Sequence, residues 1–154
     1  MSLSATGPLR VSIPVNHSID GIFFRGYIFM NWDVEYTDTF GDWWADLSES
    51  EQESVAASVR LLEAHGPYLR HPHSSQVKGS SYGNMRELRV QHDGRPLRVL
   101  YAFDPTRTAI LLMGGDKTGD ARWYERNVPG ADALYREHLA QSNLEEVEHG
   151  QEIC

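Results

Sequence analysis

Met85-Arg86-Glu87-Leu88-Arg89-Val90-Gln91-His92-Asp93-Gly94-Arg95-Pro96-Leu97-Arg98-Val99-Leu100-Tyr101-Ala102-Phe103 is the stretch that decides the fold. Two strand-like runs, Met85–Val90 and Leu97–Phe103, flank Asp93-Gly94. Asp-Gly is among the stronger short hairpin signals, because both residues tolerate the turn's unusual backbone. With Asp93 and Gly94 as the central turn residues, the register follows. His92 faces Arg95, Val90 faces Leu97, Arg89 faces Arg98, Leu88 faces Val99 and Arg86 faces Tyr101. Leu88, Val90, Leu97 and Val99 then share a core face, to which Arg86 also points. Arg89 and Arg98 stand opposite one another on the other face. Like charges so placed destabilise a sheet by a few tenths of a kcal/mol or more. Either Glu87 beside Arg89 makes a solvated ion-pair cluster, or the two guanidinium forks form an anion site suited to a phosphodiester. Arg95 on the flank, with Lys117 and Arg122 after the next strand, adds weight to the anion site.

Working outward, Asp104-Pro105-Thr106-Arg107 links the hairpin to a third β-signal, Thr108–Met113. After Gly114-Gly115 the chain turns helical, from about residue 121 to 127 and from about 131 to 140. Upstream, residues 68–84 read as a loop with a short strand around Gln76-Val77-Lys78. Before that loop, Ser48 with Glu51, or Ser50 with Glu53, offers a capping box. The helix it opens carries Val55, Val59 and Leu62 on one stripe and stops at His65-Gly66-Pro67. Residues 38–46 suggest a short acidic helix anchored by Phe40, Trp43 and Trp44, with the tryptophans packing. Trp32, Val34 and Tyr36 alternate as one face of a strand. The order β-α-α-(β)-β-β-β-α predicts an α+β domain: a small, mostly antiparallel sheet with helices packed on one face.

The 154 residues suit one domain, placed at residues 30–140, with 1–29 as an arm or upstream-start sequence and 141–154 as a frayed acidic tail. A single cysteine, Cys154, excludes an internal disulfide and fits a reducing cytosol. No run approaches the roughly 18 apolar residues of a membrane span. The net charge of −8 argues at first sight against nucleic acid. Its distribution argues otherwise: residues 33–63 carry nine acids against one base, whereas residues 64–126 carry ten bases against six acids. His65, His71 and His73 lack the cysteines or second ligand cluster of a metal site. Gly114-Gly115-Asp116-Lys117 lacks the P-loop spacing.

Met85–Arg89, Gly94–Phe103, Ile110-Leu111-Leu112 and Asp116-Lys117-Thr118 together resemble the RelE/ParE superfamily of type II toxin–antitoxin systems, most closely its HigB-like, phage-associated branch. The resemblance runs from about residue 30 to 140. It implies two N-terminal helices on one face of the sheet and a C-terminal helical segment. It further implies a cytoplasmic toxin that cuts mRNA in the ribosomal A site without metal or cofactor. There the 2′-hydroxyl attacks the adjacent phosphate, and a helix-turn-helix antitoxin neutralises the toxin. By position, Arg89, Arg98, Lys117 and Tyr124 match the family's catalytic residues, with Tyr124 activating or orienting the nucleophile. Lys78, Arg86, Arg95 and Arg122 would bind RNA, and Trp123 would stack on a base. Glu87 replaces an expected basic residue and is itself a candidate catalytic carboxylate. The alternative is a non-enzymatic protein, either a ParE-like topoisomerase inhibitor or a degenerate toxin acting as antitoxin-binding co-repressor. Oligomeric state is left open.

Overall fold

The computed structural model describes Leu9–Arg10 and residues 31–152. The arm expected over residues 1–29 therefore lies largely outside the described residues. The element order is β1 (Leu9–Arg10), β2 (Val34–Tyr36), α1 (Asp38–Asp46), α2 (Glu49–His65), a 3-10 turn at Gly66–Tyr68, β3 (Ser74–Gln76), β4 (Arg86–His92), β5 (Arg95–Phe103), β6 (Ala109–Asp116) and α3 (Trp123–Glu152). The fold is α+β. The strands form one mixed sheet in the order β1-β2-β6-β5-β4-β3. Among the described residues only the β2–β6 pair is parallel; the other pairs are antiparallel.

The β4–β5 hairpin has the register that its turn demands. Asp93 (φ 48°) and Gly94 (φ 78°) both take the positive φ of a type I′ turn. Arg89 pairs with Arg98, Leu88 with Val99, Val90 with Leu97 and Arg86 with Tyr101. Helix α1 starts at Thr37, whose hydroxyl accepts from the Phe40 amide. Helix α2 starts at Ser48 with a complete capping box to Glu51, and Gly66 ends it. Of the two capping boxes the sequence offers, Ser48/Glu51 is the one formed, since Ser50 already lies inside the helix.

The helices do not share one face. Phe40 from α1 and Val55, Val59 and Leu62 from α2 pack on Leu88, Val90, Leu97, Val99 and Leu111. Trp123, Val128, Ala131 and Tyr135 from α3 pack on Leu100, Ala102, Ile110 and Leu112 across the sheet. Both faces are therefore covered, a consequence of the continuous apolar runs in β5 and β6. Helix α3 is also unbroken, where two separate segments were expected. Pro129 removes one helical N–H, but Pro129 and Glu125, whose carbonyl loses it, are both exposed. Val128 and Ala131 remain buried on either side. The helical backbone continues to Glu152 through the tail expected to fray. Further along, the Tyr135 hydroxyl donates to the Phe103 carbonyl at 2.8 Å, and His138 Nε2 meets the buried Asp104 at 2.8 Å, tying α3 to the β5–β6 turn.

Two other expectations move. The strand expected at residues 76–78 is β3, two residues earlier, because Ser74, Ser75 and Gln76 pair with Leu88, Glu87 and Arg86. Gly114 and Gly115 lie inside β6 rather than after it. A Cβ on Gly114 would sit 2.3 Å from the Trp43 ring of α1, and one on Gly115 would sit 2.7 Å from the Trp123 ring of α3. Consecutive glycines thus admit one indole on each face of the sheet.

Beside the hairpin turn, Arg95 pairs with Glu51 at 2.8 Å and with Asp116 at 3.1 Å. The Ser48 amide and the Arg95 guanidinium lower the Glu51 carboxyl from an ordinary 4.5 to about 2. A carboxyl lowered in the folded state contributes stability above its unfolded pKa, and that stability is lost as pH falls through its folded pKa. Urea denaturation followed by circular dichroism should show stability falling from pH 4.5 towards pH 2, with a shallower fall for Arg95→Gln.

Candidate functional site

The glycine at position 115 sets the site's geometry. It stands opposite Arg98 on the α3 face of the sheet, where Trp123 lies against it. This close approach brings the start of α3 to the hairpin end of the sheet. Tyr124, the next residue, sits partly buried there, its ring edge-on to Trp123 with centroids 5.2 Å apart. Lys117, just beyond β6, places its Nζ 4.9 Å from the centre of the Tyr124 ring. Arg89, Arg98, Lys117 and Tyr124 therefore converge, although they come from three strand regions and a helix.

Glu87 is the fifth member. Its side chain is 5% exposed, as is that of Arg98. Glu87 Oε1 accepts from Ser75 Oγ at 2.7 Å and from Arg89 Nη1 at 3.1 Å. Glu87 Oε2 lies 3.8 Å from Arg98 Nε, and neither atom has a hydrogen-bond partner among the described residues. Arg98 turns Nη1 back onto the Leu97 carbonyl at 3.0 Å. The ion-pair cluster is therefore real but buried rather than solvated. Arg89 is its more open arm, at 32% side-chain exposure. Ser75 carries no motif; only its register opposite Glu87 reveals it.

Burial pushes the Tyr124 phenol up, the Glu87 carboxylate adds to that rise, and Arg98 pulls less strongly the other way. A phenol shifted upward stays protonated at neutral pH. Of the two roles the resemblance implies for Tyr124, activating or orienting the nucleophile, this favours orientation. The phenol can orient a substrate hydroxyl by hydrogen bonding.

Several residues expected to bind RNA lie elsewhere. Arg95 faces α2 and is held between Glu51 and Asp116. Arg86 points to the same side, donating to Ser74 Oγ and the Leu69 carbonyl at 3.2 Å each. Both corrections follow from the period-two alternation of a strand, which sets them on the face opposite Arg98. Trp123 is 4% exposed and packed in the α3 core, so its ring has no free face for a base. Lys78 and Arg122 are exposed, and Arg122 lies 3.8 Å from Glu125. Among the described residues, no group of three or more His, Cys, Asp or Glu side chains is placed to hold a metal ion. Nor is any described helix long and apolar enough to cross a membrane.

Three comparisons bear on this site. Residues 42–136, which include every member of the cluster, match the family described as "Phage derived protein Gp49-like (DUF891)". "Putative toxin HigB3" of Mycobacterium tuberculosis (strain ATCC 25618 / H37Rv) is 43% identical over 102 residues, spanning 66% of this chain and 88% of that protein. "Putative toxin HigB2" of the same organism is 43% identical over 101 residues, spanning 64% of this chain but only 50% of that protein. No solved structure gives a significant match.

Removing Arg98 takes one of two cations from the buried Glu87 carboxylate and leaves Arg89 to balance it. Arg98→Ala should lose about 3 kcal/mol of stability in urea denaturation. Adding Glu87→Gln to that variant should restore part of the loss, which a double-mutant cycle would measure.

Proposed function

Because the chain belongs to the phage-derived Gp49-like family, we propose that it is a HigB-like toxin of a type II toxin–antitoxin system within the RelE/ParE superfamily. In this reading it is a cytoplasmic, ribosome-dependent endoribonuclease that cuts mRNA in the A site. The observation that carries the proposal is the convergence of Arg89, Arg98, Lys117 and Tyr124 on one end of one sheet face. Preorganised cations aimed at developing charge are commonly the largest catalytic contribution.

The chemistry suits such a site. The ribose 2′-oxygen forms a bond to the neighbouring phosphorus, the bond to the 5′-oxygen breaks, and a 2′,3′-cyclic phosphate results. Negative charge accumulates on the phosphoryl oxygens as the five-coordinate transition state forms. Arg98 and Arg89 present donors to those oxygens, and Lys117 supplies a third cation. Arginine stays protonated at neutral pH, so the cationic side chain able to give the leaving oxygen a proton is Lys117. The protonated Tyr124 phenol orients the attacking hydroxyl, whose proton passes to solvent water as the bond to phosphorus forms. The nucleophile belongs to the substrate and the charge stabilisation to side chains, so this route calls for no metal.

A small helix-turn-helix antitoxin is the proposed protein partner. Burial of Arg98 against Glu87 favours one second reading, a non-catalytic relative whose closed site serves only partner binding or topoisomerase inhibition. Ribosomes carrying a defined mRNA separate the two. Stoichiometric protein should cut within the A-site codon, and Arg98→Ala should lower the rate roughly 100-fold or more. Intact mRNA, or gyrase inhibition in a supercoiling assay, would overturn the nuclease reading.

A further inference from the structure

We infer that Glu87 is an internal counter-anion of the phosphate cradle, holding Arg89 and Arg98 in place and competing with an incoming phosphate for Arg98. This rests on the cradle binding phosphate and assigns a role to the one carboxylate inside it.

The two arginines face each other across the β4–β5 pair, an arrangement whose repulsion needs a neighbouring anion. Glu87 supplies it, on the same strand face as Arg89 and within reach of both guanidinium groups. The carboxylate is anchored on one oxygen only, by Ser75 Oγ and Arg89 Nη1. Its other oxygen stands 3.8 Å from Arg98 Nε, beyond the 2.7–2.9 Å of a charge-assisted hydrogen bond. Arg98 Nε is therefore a buried donor without an acceptor among the described residues, facing a carboxylate near enough to neutralise it but not to bond it. Buried donors left unmatched are uncommon and call for an explanation. A phosphate oxygen reaching Arg98 would provide the missing acceptor. It would do so against the negative charge of Glu87, which Ser75 keeps in place. Glu87 thus acts through the arginines as a positioning residue, and it weakens ground-state binding of the anion it helps the site to receive.

Nitrogen-15 NMR of the full chain, titrated with inorganic phosphate, tests this. The Arg98 Nε–H signal, identified by its loss in Arg98→Lys, should move on phosphate addition. In Glu87→Gln the midpoint should fall about tenfold, the scale of one like charge removed at several ångströms. Ser75→Ala keeps the carboxylate but releases its anchor, and should lower the midpoint less. It also serves if Glu87→Gln does not fold. Midpoints unchanged or raised in the folded variants would overturn the assignment, as would an Arg98 signal indifferent to phosphate. The mRNA assay is read separately. A chain that cuts mRNA while Arg98 ignores phosphate loses only this inference. One whose midpoints fall but which cuts nothing loses only the nuclease reading.

Discussion

A two-residue turn fixes where every other functional group must come. Asp93 and Gly94 take positive φ at both central positions, which admits one hairpin register and sets Arg89 against Arg98. A slip of β5 by one residue would carry Arg98 to the α1–α2 face, beside Leu88 and Val90, and turn Leu97 and Val99 out of that core. The hydrophobic cost of that exchange is far larger than the repulsion between two arginines. The core therefore enforces the charged pair, and Glu87 makes it tolerable. Burial then keeps the pair from being solvated away, so its electrostatics are felt more strongly than on an open strand.

The second constraint is steric. β6 runs through Gly114-Gly115, and because strand residues alternate faces, the missing side chains open a gap on each side of the sheet. Trp43 fills one gap and Trp123 the other. Trp123 thus fastens α3 against the strand that neighbours Arg98, and Tyr124 follows it into the cradle. Farther along α3, Asp132 accepts from the Ser81 amide at 2.8 Å and from the Ser80 hydroxyl, holding the loop between β3 and β4. Core packing and site assembly are the same event in this helix: its first turn places the candidate phenol, and later turns pin the loops of the sheet.

Much of this was legible in the order of residues, for reasons that differ by element. Local signals identified the hairpin register, α1, and the start and end of α2, because turn chemistry and helix caps act within a few residues. They also placed Arg86 on the face away from Arg89. The continuity of α3 was not legible, since Pro129-Gly130 reads as a break until its exposure is known. Nor was the sharing of helices between two faces, which depends on how β5 and β6 are covered. Arg95, Arg86 and Trp123 look like RNA contacts only while their partners are unknown. Glu51, Asp116, Ser74 and the α3 core claim them. The upward shift of Tyr124 was equally hidden, because it follows from burial beside Glu87, and clustered cations alone suggest the opposite sign.

The net charge of −8 looks at odds with the proposed RNA-binding site until the fold is laid over it. Most acids of residues 33–63 sit on α1 and α2, which pack on one face of the sheet; the cradle opens on the other. At physiological ionic strength the Debye length is about 8 Å, comparable to the separation a sheet and its packed side chains impose. In the proposed site, a phosphate at Arg98 would therefore feel Arg89, Lys117 and Glu87 far more than Asp38, Asp42 or Glu53. Glu51, although acidic, is already matched by Arg95. What controls the cradle is a balance of three cations against one buried carboxylate. In the proposed site a single internal charge, rather than the surface total, sets how strongly an anion is drawn in.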